Sequence, residues 1–116
     1  MTLLAEVVRT STQVAGESSR LAKIRSIADC LRRLEPEEAD IAIAYLGGET
    51  RQGKLALGHS TLRSCMHGAS AASVLTLQDV DAAFAALKSI KGKGSAGRRA
   101  GLLRELFAKG TAEEQD

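Results

Sequence analysis

The sequence predicts an all-α protein of about six helices, compact and multi-helical, on three observations. Apolar residues recur at three- and four-residue steps along most of the 116-residue chain. No run alternates apolar and polar residues for long enough to make a strand. Only three aromatics occur (Tyr45, Phe84 and Phe107) and there is no Trp, so the core must be Ala, Leu, Ile and Val, which suits close-packed helices. A single domain over residues 1–116 is the ordinary outcome for this length, and it can bury a workable core.

The elements follow from local chemistry. Leu3, Leu4, Val7, Val8 and Val14 predict a helix from about Leu3 to Ala15, ended by Gly16. Ser18 or Ser19 caps the next, in which Leu21, Ile24, Ile27, Ala28, Leu31 and Leu34 form one stripe. Pro36 suits the first turn of a third helix, with Glu37 and Glu38 at the positive end of its dipole. That helix, Glu37–Leu46, is apolar nearly all round and is expected to be the most buried; Gly47-Gly48 stops it. Ser60 is expected to cap a short helix reaching about Met66, and His67–Ser73 reads as a loop. Thr76 caps a fifth helix with Asp79 as its reciprocal partner, and Leu77, Val80, Phe84 and Leu87 supply the buried face. Lys91–Gly97 is a basic Gly/Ser turn leading into a sixth helix, Arg98–Lys109.

The formal charge is only +2, but its distribution is uneven. Between Lys88 and Lys109 lie seven basic residues and one acidic one, Glu105, a local field suited to a polyanion. Cys30 and Cys65 fall on separate predicted helices and read as small core residues in a reducing compartment. Glu6 and Arg9 interrupt the N-terminal apolar stretch, so it is no signal peptide, and no apolar run approaches membrane-spanning length. A cytoplasmic protein without membrane partners is expected.

The chain also echoes itself. Ser19–Asp40 laid over Ser95–Asp116 pairs a Ser and a basic cluster with another, then Ile27, Cys30 and Leu31 with Leu103, Leu106 and Phe107. Glu37, Glu38 and Asp40 then meet Glu113, Glu114 and Asp116. The expectation is an internal pseudo-repeat, a first copy at about 1–75 and an incomplete second at about 76–116, within a longer protein. Leu102, Leu103, Leu106 and Phe107 of the sixth helix would then be exposed, favouring self-association through the 98–109 helix.

Two stretches could bind an anion. In Gly47-Gly48-Glu49-Thr50-Arg51-Gln52-Gly53-Lys54 the glycines let backbone N–H groups converge, and Arg51 and Lys54 add charge. An ordinary helix end followed by solvated charges is the competing reading. Lys91-Gly92-Lys93-Gly94-Ser95-Ala96-Gly97-Arg98-Arg99 feeds a helix N-terminus, whose free N–H groups favour negative charge. It is not a P-loop, since Lys91 and Lys93 are each followed by Gly rather than Ser or Thr. A flexible basic linker is the alternative there. The candidate phosphate-binding set is Arg51, Gln52, Gly53, Lys54, Lys91, Lys93, Gly94, Ser95, Arg98 and Arg99, with Ser95 expected to cap the sixth helix. His59, His67 and Cys65 lack the spacing of a metal site, and no Ser, Cys, His or carboxylate set makes a catalytic group.

These residues resemble the N-terminal DNA-binding domain of bacterial, actinobacterial-type ATP-dependent DNA ligases. The matching segments are Leu3-Leu4-Ala5-Glu6-Val7-Val8, Ser18-Ser19-Arg20-Leu21-Ala22-Lys23, Gly48-Glu49-Thr50-Arg51-Gln52-Gly53 and Gly92-Lys93-Gly94-Ser95 with Arg98-Arg99. The resemblance implies a helical, pseudo-symmetric domain that grips nicked duplex DNA by its phosphates, in repair, replication or recombination. It also implies that the nucleotidyltransferase and OB-fold domains, the catalytic Lys-x-Asp-Gly motif, ATP and Mg²⁺ belong to the rest of the parent enzyme. This sequence has no such motif, no cofactor is expected in it, and sealing by these residues alone is not expected. Thr50 stands where a Leu is common, which weakens the resemblance at the first turn.

The rival function is a helical protein-interaction module in which the basic turns are solvated linkers. A sequence-reading helix-turn-helix is disfavoured, because no helix clusters Arg, Asn and Gln and the chain has no Asn.

Overall fold

A computed structural model describes residues 1–55, 57–66 and 68–115. The start of the expected loop at His67, the dismissal of a metal site at His59 and His67 and the end of the repeat at Asp116 therefore fall outside the described side chains. Among the described residues seven helices run in order: α1 (Leu4–Gly16), α2 (Arg20–Arg32), α3 (Pro36–Leu46), α4 (His59–Cys65), α5 (Leu77–Ser89), α6 (Ser95–Lys109) and α7 (Ala112–Gln115). The all-α expectation holds: the described residues form no strand, only an isolated bridge between Leu3 and Thr76. The seventh helix is a single turn at the acidic residues that the sequence marks as a helix start. Thr111 and Glu114 cap it reciprocally, Thr111 N–H donating to Glu114 at 2.8 Å and Glu114 N–H to Thr111 Oγ1 at 3.3 Å.

Side-chain caps set two of the predicted starts. Ser19 Oγ accepts from Ala22 N–H at 3.3 Å and opens α2. Thr76 and Asp79 form the reciprocal box that opens α5, each bond at 3.0 Å. Two expected caps are corrected. Gly58, not Ser60, precedes α4, so Ser60 is a helical residue. Gly94, not Ser95, is the N-cap of α6: its φ of 77° turns the chain into the helix, Ser95 becomes the first helical residue, and α6 begins three residues before the expected start at Arg98.

The helices, spread over 48 × 27 × 25 Å, enclose two apolar clusters. The first holds Val7, Cys30, Ile41, Ala42 and Leu77, with Leu4, Leu31, Leu34, Tyr45 and Leu46 against them. The second holds Cys65, Leu87 and Leu103, with Leu57, Leu62, Phe84, Ala100, Leu102 and Phe107 around it. Helix α5 gives Leu77 to the first and Leu87 to the second, and so ties them together. Both cysteines are free and buried.

Helix α3 is not more buried than α5. It buries Glu38, Ile41 and Ala42 but leaves Ile43 55% exposed, whereas α5 buries Leu77, Val80, Asp81 and Leu87. An apolar helix at a surface keeps one face wet whatever its composition. The exposure expected of α6 is likewise overturned at Leu103, which is 1% exposed. Packing of α6 on α4 and α5 covers it, and leaves Leu102, Leu106 and Phe107 half-buried.

The first residues are pinned from two sides. Leu4 N–H donates to Leu75 C=O at 2.8 Å and Leu77 N–H to Thr2 C=O at 2.9 Å. On the other side the fully buried Glu38 carboxylate accepts from Thr2 N–H at 2.7 Å, Thr2 Oγ1 at 2.8 Å and Glu35 N–H at 3.1 Å. Burial pushes this carboxyl upward, but the Thr2 and Glu35 donors outweigh it and hold it below its ordinary value. Glu38 thus does more than favour a helix dipole; it fastens the chain's start to α3.

Candidate nucleic-acid interface

The two glycine-rich turns predicted from sequence come together along α5 and α6. The first is a tight loop after α3. Gly47 N–H donates to Ile43 and Ala44 C=O, and Glu49 N–H returns to Ala44 C=O at 2.8 Å, which ends the helix. Gly48 and Gly53 take φ of 79° and 73°, a backbone region that side chains with a Cβ disfavour. Thr50 closes the loop on Gly53 twice: Thr50 C=O accepts from Gly53 N–H at 3.1 Å, and Thr50 Oγ1 donates to Gly53 C=O at 2.9 Å. The hydroxyl therefore gives this turn an anchor where a buried Leu would have given another.

Helix α5 holds the loop's far side. Arg51 reaches Asp81 with Nε at 3.0 Å and Nη2 at 2.6 Å, a two-point fork on one carboxylate. Gln52 Nε2 adds a bond to Asp81 Oδ1 at 3.0 Å and one to Asp81 C=O at 3.2 Å. Two helical turns on, roughly 10 Å along the axis, Lys88 Nζ donates to Gln52 C=O. The Arg51 bond holds Asp81 below its ordinary value; burial opposes that, and Gln52 reinforces it. The same pairing holds Arg51 above its own.

The second turn continues from α5. Gly92 and Gly94 have φ of 91° and 77°. Ser95 N–H donates to Gly92 C=O at 3.2 Å, and Arg98 Nη2 folds back to Lys91 C=O at 3.0 Å. Arg99 faces inward, donating through Nη2 to Leu55 C=O and so tying α6 to the segment that leaves the first turn. Its Nε is buried without a hydrogen-bond partner among the described residues.

The candidate set therefore divides. Lys54, Lys91, Lys93 and Arg98 are exposed along this edge, joined by Lys88, a cation whose part in the site the sequence does not reveal. Gly53 and Gly94 shape the two turns, and half-buried Ser95 opens α6. Arg51, Gln52 and Arg99 commit their side chains to Asp81 and to Leu55. Asp81 is the residue that sequence reasoning missed. One signal was available, an acid at a core-facing position between Val80 and Phe84, but its partners lie about 30 residues away.

A second feature lies between the two clusters: an open, mostly apolar cleft of about 1290 Å³ lined by Val7, Val8, Tyr45, Leu57, Leu106 and Phe107 among others. The Tyr45 hydroxyl is buried without a hydrogen-bond partner among the described residues. Burial, then the charge on Asp81, pushes this phenol far above its ordinary value, and Arg51 pulls it back in part. Among the described residues no group of three or more His, Cys, Asp or Glu side chains could hold a metal ion, and no helix is long and apolar enough to cross a membrane.

Comparison with known proteins supports a relationship to DNA ligases. The chain is 47% identical over 113 residues to a probable DNA ligase of Beutenbergia cavernae, covering 97% of the chain and 22% of that protein. It is 44% identical over 116 residues to one of Saccharopolyspora erythraea, covering the whole chain and 23% of that protein. A probable DNA ligase of Kineococcus radiotolerans is 46% identical over 116 residues, with 97% and 23% covered. The chain thus corresponds to a ligase-related region and spans less than a quarter of the length of these relatives. No family model matches, and no solved structure matches.

Proposed function

We propose that this chain is the DNA-binding part of an ATP-dependent DNA ligase, holding nicked duplex by its backbone phosphates without reading base sequence. The observation that carries the reading is the basic edge made where the two glycine turns meet on α5 and α6, within a stretch related to ligases along its whole length. Exposed lysines on a folded edge attract phosphate by charge, and turn and helix N–H groups give that attraction a position. The scarcity of aromatics removes the stacking platforms that single strands need.

Contact falls to Lys54, Lys88, Lys91, Lys93 and Arg98, with Gly94 and Ser95 opening the α6 N-terminus toward a phosphate. Arg51, Gln52, Gly53 and Arg99 serve by shaping the two turns. Activation by ATP, Mg²⁺ binding and nick sealing, in replication, repair or recombination, belong to the remaining parts of the parent enzyme. The Lys-x-Asp-Gly motif that such chemistry would use is absent from this sequence.

The test is fluorescence anisotropy of a labelled nicked duplex titrated with this chain across a salt series. Affinity should fall by about 0.9 log unit per log unit of salt for each phosphate neutralised, and should be indifferent to base sequence. Binding of no duplex at low salt would overturn the reading.

A further inference from the structure

A carboxylate on the core face of a helix is costly unless its oxygens are bonded. Asp81, 8% exposed on the face of α5 that also carries Leu77, Val80 and Leu87, has both oxygens bonded by one loop: Arg51 takes Oδ1 and Oδ2, and Gln52 takes Oδ1. Gln52 also reaches the Asp81 carbonyl, and Lys88 returns a bond to the Gln52 carbonyl. Residues 51 and 52 are thus fastened to α5 through side chains and main chain together.

This arrangement changes what Arg51 can do. A guanidinium forked onto a carboxylate is close to neutral as seen by a phosphate beyond it, and an incoming phosphate would have to displace a two-point bond to recruit it. The N–H groups of Arg51, Gln52 and Lys54, by contrast, make no hydrogen bond among the described residues.

We propose that Asp81 is a positioning residue for phosphate binding: it holds Arg51 and Gln52 as braces so that the 50–54 turn presents its backbone N–H groups and Lys54. The inference rests on the DNA-binding reading and specifies how the first turn of that site works. It makes a prediction whose sign is opposite to that of simple electrostatics. Removing an acid from a DNA-binding edge should tighten binding if charge alone matters, and freeing Arg51 should tighten it further. If Asp81 positions the turn, its removal weakens binding although the protein becomes more positive.

The experiment compares this chain with Asp81→Asn and Arg51→Ala in the anisotropy salt series, with amide hydrogen exchange of the free proteins alongside. Expected for Asp81→Asn is a loss of roughly tenfold in affinity. The salt slope should fall by about 0.9, equivalent to one phosphate, a change that a smaller folded fraction would not produce. Exchange should quicken at Gly53, whose N–H is bonded to the Thr50 carbonyl, while α1 and α2 keep their protection. Arg51→Ala should behave alike, and the double variant should be no worse than either single one, because both break one brace. Should Asp81→Asn fail to fold, Gln52→Ala removes two of the bonds without stranding a charge, and it too should weaken binding and quicken exchange at Gly53. Binding by Asp81→Asn as tight as, or tighter than, that of the unaltered chain overturns the inference while the DNA-binding reading stands, and so does unchanged exchange at Gly53. An unaltered chain that binds no duplex overturns both.

Discussion

The ring of Tyr45 meets that of Phe84 edge-on, with centroids 6.1 Å apart and planes at 75°. Tyr45 packs on the first apolar cluster and Phe84 on the second, so this pair is one point where the halves of the molecule are joined. Edge-to-face geometry sets the positive rim of one ring against the negative face of the other, an attraction beyond the area the rings bury. Replacing Phe84 by Ala should cost about 3 kcal/mol of unfolding free energy. Phe84→Leu, which keeps most of the volume, should cost about half of that. Urea denaturation of both variants checks the order, and a negligible loss for Phe84→Leu would mean that the ring geometry contributes nothing.

Acid should unfasten the molecule at two points. The Glu38 and Asp81 carboxyls are both held below their ordinary values of 4.5 and 3.8. A carboxyl lowered in the folded state contributes stability that is fully present above its unfolded value and is lost as pH falls through the folded one. Thermal stability should therefore be flat near neutrality and decline below about pH 4.5. Thr2→Ala, which removes one of the Glu38 donors, should cost about 1 kcal/mol at pH 7 and shrink this acid dependence. Melting curves from pH 7 to pH 3 measure both effects.

Gly94 should resist substitution although nothing crowds it. Space around it is open, but its φ of 77° is the conformation that starts α6. Gly94→Ala should cost about 1–2 kcal/mol, whereas Gly97→Ala, also in open space but inside the helix, should be neutral or stabilising. Comparing the two by denaturation separates backbone strain from loss of room. On the DNA-binding reading, Gly94→Ala should also weaken duplex binding.

Basic residues along the edge should separate by role. Lys91→Ala with Lys93→Ala should lower the salt slope of duplex binding by up to about 0.9 for each phosphate no longer neutralised, with stability within about 0.5 kcal/mol. Arg99→Ala should do the reverse, lowering stability by about 2 kcal/mol with little change of slope, because its guanidinium serves the Leu55 carbonyl. If Arg99→Ala alone flattens the slope, the inward placement of this side chain does not describe the bound form.

What could be read from the chain itself was whatever depends on neighbours three or four residues apart. The helix stripes, the Ser19 cap, the Thr76–Asp79 box and the stop at Gly47-Gly48 are all of that kind. So are the two basic glycine turns, since glycine spacing and charge are written in order along the sequence. Tertiary structure decided which groups those turns keep free. Arg51, Gln52 and Arg99 looked equivalent to the lysines as cations or donors, yet their partners, Asp81 and the Leu55 carbonyl, lie about 30 to 44 residues away. The same distance hid Glu38, which bonds Thr2 across 36 residues, and Leu103, which only the packing of α6 covers. Local periodicity fixes which face of a helix is apolar. It does not fix which distant carboxylate or carbonyl will need a donor, because that need arises only when burial removes water from it.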